Sequence, residues 1–404
     1  MRKILLSLMA VFMAVPAFAI EFTSGEFKAN IYGNAYVDAF YGYKNDGDKG
    51  SHSLSSQSLV GSSNLGITLS YGNISGTFEA GLGDPVRKYF MTYNIGGQED
   101  HFLVLGRDTT IAAYSFGAVT YDFGSLNDFG TLADKRRLQI RYGIKGFELA
   151  VVLPNLGYSN GTDTGYQLGV TDSVTVMVPD PEKPGQMKKV THEINQVQQF
   201  QMLPRVELAY TYASEALEFK VFGAYGAYLF QDKFDDAGMP ANMNVKSSDD
   251  LVLHSYNIGF GGQANFGASF LQFTGWYGNN LDLMDAVGTV SHTLVVKNDL
   301  QKQKLTRTIT VDNENVQSAG VAIGIGHTFA EKYTPAIGVG YTLNFGDGYD
   351  HIDDSLGAYL NCAIQINDWF SITPEVAYYD LMQDKAGNKE GYEVLAGAVA
   401  TLSF

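Results

Sequence analysis

Arg137, Gln139 and Arg141 take alternate positions in the stretch RRLQIRYG, and alternate side chains of an extended chain project to one side. Arg107 closes the preceding extended stretch, HFLVLGR, and is expected beside them. Between the two lies the segment 108–135, DTTIAAYSFGAVTYDFGSLNDFGTLADK, with Asp122 and Asp128 among its acids. Fixed cations facing fixed anions across a narrow, water-filled gap create a transverse field. Such a field orders water and favours small, hydrated, dipolar solutes over apolar ones. A plainer reading is that the arginines only solvate a wide polar surface, and the sequence leaves both open.

Other chemistry finds little support. The histidines are His52, His101, His192, His254, His292, His327 and His351. None stands in a Ser-His-acid or metal-ligand spacing, so no catalytic residue, cofactor or metal centre is expected. Distant positions of a fold can still assemble a triad. Cys362 is the only cysteine, so no intrachain disulfide can form; it shares a strand face with Ala358, Leu360 and Ile364, as inert packing. The formal charge of −16 argues against nucleic acid, whose phosphates call for clustered Lys and Arg.

The elements that position these residues begin after MRKILLSLMAVFMAVPAFA, residues 1–19. A basic start, an apolar core and Ala17-Phe18-Ala19 read as a signal peptide, which leaves 20–404 as one domain. FKANIYGNAYVDAFYGY then alternates strictly. Phe27, Ala29, Ile31, Gly33, Ala35, Val37 and Ala39 take one face, and Lys28, Asn30, Tyr32, Asn34, Tyr36 and Asp38 the other. Strict alternation marks a strand with one apolar and one polar face. The pattern recurs at 65–71, 74–82, 87–95, 101–107, 136–143, 146–153, 204–212, 216–229, 251–266, 270–277, 317–329, 333–345, 355–366, 370–379 and 392–404, about sixteen strands in all. Short connections such as Gly72-Asn73 alternate with long ones such as 154–203 and 278–316. The segments 173–178/188–194 and 290–297/304–311 read either as hairpins inside long loops or as extra wall strands.

The placement of charge separates two all-β classes. Lys28, Asp38, Glu79, Lys88, Arg107, Arg137, Arg141, Arg205, Glu207 and Glu375 are read on the polar parity. The apolar parity is rich in Ala, Gly and Tyr, not in the Leu, Ile and Val that fill a sandwich core. Lipid accepts such a face, whereas a Lys or Arg at mid-membrane costs roughly 2–4 kcal/mol. A transmembrane antiparallel β-barrel is therefore expected, with Lys28, Asp38, Glu79 and Lys88 lining its lumen. High counts of Gly (45), Tyr (25) and Phe (25) suit its walls.

The stretches GNAYVDAFYGY, LGITLSYGNISGTFEAGLG, LVLGR and RLQIRYG, with a terminal strand ending in Phe404, resemble the general (trimeric) porin family of Gram-negative outer membranes. The likeness covers roughly the first third of the chain at motif level and the rest by strand pattern. It implies an outer-membrane barrel of about 16 strands with short periplasmic turns and long external loops, one of them, 108–135, folded into the pore. It further implies passive diffusion of ions and small hydrophilic solutes, a homotrimer, contact with lipid and lipopolysaccharide, and no cofactor. Arg107, Arg137 and Arg141 would form the basic wall of the constriction, with Asp122 and Asp128 on the acidic loop facing it. Many relatives carry a Pro-Glu-Phe-Gly loop tip where this chain has Ser125–Gly130, and their subunit latch is shortened here to Asp84-Pro85-Val86. The acidic loop of Asp347, Asp350, His351, Asp353 and Asp354 reads as a calcium site or as a solvated rim bridged by divalent ions to lipopolysaccharide. Two other functions compete: a substrate-selective channel with an aromatic track of Tyr32, Tyr36, Phe40 and Tyr228, and a structural or adhesive barrel acting through its external loops.

Overall fold

The structure, a computed structural model, describes residues 20–45, 50–56, 62–114, 126, 129–153, 166–168, 172–179, 187–194, 197–232, 251–284, 295–301, 306–312, 315–347 and 349–404. Its wall strands are β1 (Phe27–Asn45), β2 (Asn64–Tyr71), β3 (Ile74–Gly81), β4 (Lys88–Asn94), β5 (His101–Thr109) and β6 (Arg136–Ile144). They continue as β7 (Phe147–Val152), β8 (Val197–Ala213), β9 (Leu217–Asp232), β10 (Leu251–Phe266) and β11 (Ser269–Asn279). The last five are β12 (Val316–His327), β13 (Tyr333–Gly346), β14 (Asp353–Asn367), β15 (Phe370–Gln383) and β16 (Tyr392–Ser403). Each pairs antiparallel with the next, and β16 returns to β1, Asn34 opposite Ser403 and Asn45 opposite Tyr392. The result is a closed 16-stranded barrel, an architecture in which no strand edge is left over.

Closure at β1 uses both of its edges over most of its length. Its first half pairs with β2 on one side and with the short strand Ile20–Ser24 on the other. Its second half pairs with β16 and with the short strand Gly50–Ser56. The two hairpins left open by the sequence, Asp172–Pro179/Met187–Ile194 and Val295–Gln301/Thr306–Asp312, form separate two-stranded sheets and are not wall strands.

The two faces separate as alternation requires. Leu65, Phe78, Tyr89, Ile140 and Val339 are 41–48% exposed and point outward. Glu207 and Glu375, of the opposite parity, are 1% and 3% exposed. A contiguous apolar surface of this extent is foreign to a soluble monomer, and hydrocarbon is the medium it fits. Arg107, Asp354 and Asp380 carry charge on the outward parity near external strand ends, and each has a partner. Arg107 reaches Asp84, and Tyr341 and Tyr378 donate their hydroxyls to Asp354 and Asp380 at 2.6 Å.

Inside, large rings lie flat over glycines directly opposite them on the next strand. Tyr32 covers Gly66, Phe40 covers Gly397, Phe102 covers Gly143, Phe222 covers Gly259, Trp276 covers Gly320 and Phe270 covers Gly326. The ring takes the space that a neighbouring side chain would fill, which fixes register and explains why glycine and aromatics are abundant together. A Cβ at Gly320 would stand 2.5 Å from the Trp276 ring. Gly320→Val is therefore expected to push the indole off the wall and to lower the thermal unfolding midpoint of the detergent-solubilised barrel by several degrees, whereas Val321→Ala, on the outward face, should leave the ring undisturbed.

Candidate functional site: the lumen and its inward loop

β3 to β7 bring a ladder of opposite charges to the lumen. Arg87 donates to Glu79 at 2.7 Å, and Tyr32 donates to the other oxygen of Glu79 at 3.1 Å. Lys88 stands 3.7 Å from Asp108, whose other carboxylate oxygen accepts from Arg141 at 2.7 Å. Arg141 Nε lies 3.4 Å from Glu148, and its guanidinium is 6.0 Å from the centroid of the Phe102 ring. Arg137 and Gln139 share this parity, Arg137 opposite Asp108 and Gln139 opposite Gly106. Gln139 donates to the Asp108 and Thr109 carbonyls at 2.9 Å each, which fixes the mouth of the loop that follows. Cation and anion alternate from strand to strand, so much of the arginine charge is balanced within the wall itself.

The remaining lumen positions differ in depth. Asp38 is 3% exposed and opposes the buried Val399. Lys28 stands exposed near the start of β1, at the short-turn end of the barrel.

Arg107 requires a correction. Its register partners are Tyr89 and Leu138, both outward, so it does not stand with Arg137 and Arg141. It reaches across to the short 82–87 connection, donating to Asp84 at 2.9 Å and to the Val86 carbonyl. The cause is legible in retrospect. Phe102, Leu103, Val104 and Leu105 are all apolar, so alternation gives no parity there, and the inward positions of β5 prove to be Phe102, Val104 and Asp108. The strand also runs on to Thr109, which turns Asp108 from a loop acid into a wall acid.

The described parts of segment 108–135 bond to inward side chains of the far wall. Ile111 and Ala112 donate their backbone N–H groups to Glu207 at 2.8 and 3.3 Å. Lys220 donates to the Ala113 carbonyl at 2.9 Å, and Asn257 to the Ala112 carbonyl at 3.0 Å. Further along, Gly130 donates to Thr342 Oγ1 at 2.7 Å and accepts from the Trp276 indole at 3.0 Å. Gly130 has φ 107°, and a Cβ there would meet the Val321 carbonyl at 2.2 Å, so no larger residue fits. Leu126 is completely buried in a cluster with Phe40, Tyr359 and Leu395, and the Phe129 ring lies 4.7 Å from that of Tyr379. The neck closes through Thr110 N–H to the Lys135 carbonyl at 2.8 Å. Asp122 and Asp128 lie outside the described residues.

The sequence reading missed these anchors. Glu207, Lys220, Asn257, Trp276 and Thr342 bond a loop up to 212 residues away in the chain, and no local spacing signals such a partnership. Two members of the expected aromatic track, Phe40 and Tyr228, are 1% and 4% exposed and serve packing, so they offer no stacking surface to a passing sugar.

At the external rim, Asp384 organises its own turn. The Ala386 and Asn388 amides donate to Oδ1 at 2.9 and 2.8 Å and the Asn388 side chain to Oδ2 at 3.0 Å. These bonds, the Asn388 side chain first, hold its carboxyl below the ordinary range. Glu390 is pushed up by burial and by the nearby Asp353 and Asp384. Among the described residues no group of acids, histidines and cysteines is arranged to hold a metal ion.

No protein-family model and no curated protein matches the chain. Solved structures do. The outer membrane channel DcaP of Acinetobacter baumannii is similar with a TM-score of 0.61 over 95% of this chain and 99% of that one, at 16% identity. OmpT, an outer membrane protein of Vibrio cholerae in a trimer form, gives 0.54 over 94% and 99%, at 13% identity. An anion-selective porin from Comamonas acidovorans gives 0.54 over 94% and 100%, at 12% identity. Likeness at such identities speaks to architecture, and the chain has the closed 16-stranded β-barrel fold of the Gram-negative outer-membrane porins.

Proposed function

We propose that the protein is an outer-membrane porin: a water-filled channel through which ions and small hydrophilic solutes diffuse passively, with no catalytic turnover. The observation that carries this reading is the contrast between the two faces of one closed sheet. The outside suits lipid, while the inside holds a charge ladder and a loop bonded to the far wall. In this reading Arg137 and Arg141 belong to the constriction, with Lys88, Asp108 and Glu148 setting its net charge. Asp122 and Asp128 supply acid from the loop, and Lys28 lines the path, while Asp38 and Glu79, on the same inward parity but buried, act on it only through their charge. Residues 1–19 are a signal peptide removed on export, and the acidic rim of Asp347, Asp350, Asp353 and Asp354 faces lipopolysaccharide. Liposomes carrying the purified protein should swell in small sugars at rates that fall steeply with solute size. Equal rates for large and small sugars, or no swelling, would contradict the reading.

The assembly follows from the seam between first and last strands. Ala35, Val37 and Ala39 oppose Leu402, Ala400 and Ala398, a flat outward surface that permits close approach of a second barrel. The protein is expected to run as a homotrimer in mild detergent, without the usual latch, because Arg107 holds the 82–87 connection back on its own barrel. Large aromatic substitutions at Ala398 and Ala400 should yield monomers. A single-barrel mass for the unaltered protein, unchanged by crosslinking, would count against the trimer.

A further inference from the structure

Arg205 joins two segments of chain that are remote in sequence. It pairs with Glu207 through Nη2 at 2.7 Å, and Glu207 in turn holds the amides of Ile111 and Ala112. Through Nη1 the same guanidinium donates to the Met284 carbonyl at 2.8 Å. Met284 ends a short 3-10 turn, Leu281–Met284, that enters the lumen after β11. Leu281 is completely buried and Met284 is 3% exposed, and both pack in one cluster with Ile111, Ala112 and Trp276. The start of that turn is fixed independently. Ser255 donates to the Asn280 carbonyl at 2.7 Å, and Asn280 exchanges two bonds with Val316, at 2.8 and 3.0 Å.

Arg205 is 6% exposed and Glu207 1%, so neither meets solute in the channel. The cavity beside them, lined by Thr110, Ala112, Arg205, Glu207, Asn257 and Met284, has about 10 Å³. That is room for one water at most, so the pair is no solute site. A buried ion pair also tends to be weak as a stabiliser compared with apolar packing, so what this pair does is sought in what it positions.

We infer that Arg205 is a positioning residue that fastens two lumen-entering segments, 110–114 and 281–284, to one point of the wall, so that the constriction is bounded by two coupled loops. This rests on the diffusion-channel reading for its functional consequence, but the coupling itself is a structural property. Hydrogen exchange of the detergent-solubilised protein tests it directly. In Arg205→Met, amides of 110–114 and of 281–284 are expected to exchange faster together, by about tenfold or more, as the loss of charged hydrogen bonds implies. Wall strands should stay protected. In the Arg205→Met/Glu207→Gln double variant, which removes both charges of the pair, 281–284 should remain fast. Arg205→Lys, which keeps the charge and a donor at the same position, should restore part of the protection at both. In planar bilayers Arg205→Met should add brief closures to the open-channel current. Loss of protection confined to 110–114, or full recovery of both segments in the double variant, would show that Arg205 only neutralises Glu207 and would overturn the coupling. Absence of current from the unaltered protein would count against the channel reading and leave the exchange result standing.

Discussion

Asp108→Asn is expected to turn the channel towards anions. Asp108 is the acid shared by Lys88 and Arg141, and its neutralisation leaves two cations of the ladder uncovered, with only Glu148 to balance Arg141. A unit charge about 8 Å from the ion path, at an effective dielectric of about 40, is worth about 1 kcal/mol, or about fivefold in relative permeability. Reversal potentials under a salt gradient read that ratio. The opposite change should follow Arg141→Gln, which leaves Asp108 and Glu148 in excess and favours cations. Arg107→Gln is the internal control: its side chain serves the outward 82–87 connection, so selectivity should not move. A reversal potential unchanged in Asp108→Asn, or shifted as far by Arg107→Gln as by Arg141→Gln, would contradict the assignment.

Leu126→Ala is expected to release the tip of the inward loop. Leu126 holds φ 47°, a left-handed conformation that costs a branched L-residue of order 1–3 kcal/mol and persists only where its surroundings impose it. The surroundings here are Phe40, Tyr359 and Leu395, and truncating a fully buried leucine costs roughly 2–5 kcal/mol. The Phe129 amide bonds back to the Leu126 carbonyl at 2.9 Å, so Phe129 and Gly130 should leave with it. The strand ladders do not depend on Leu126. Conductance should therefore rise and fluctuate while the unfolding temperature of the barrel changes little. An unchanged single-channel conductance would show that the tip does not narrow the path.

The wall was readable from sequence because alternation is a local rule with a period of two, and every expected strand has a counterpart, although 204–212 begins seven residues earlier, at Val197. It failed where both faces were apolar. Phe102 to Leu105 hid the parity of β5, which placed Arg107 in the wrong company and left Asp108 in the loop. Gly106, at φ 135°, gave no further guide. The basic pair Arg137 and Arg141 was legible because polar and apolar residues alternate cleanly through β6. Its compensation by Asp108 and Glu148 was not, since it arises from register between neighbouring strands. The anchors of the inward loop were hidden for a related reason: a backbone amide at Ile111 and a carboxylate at Glu207 meet only once the barrel has closed.

In the proposed function solutes pass through an open, water-filled lumen without binding. Single-channel conductance of the unaltered protein in planar bilayers, measured across a wide range of salt concentration, tests it most directly. Conductance steps should grow nearly in proportion to bulk salt conductivity, with no saturation and no blockade by added sugars. Conductance that saturates at modest concentration, or that one solute blocks, would contradict free diffusion and point to a binding channel.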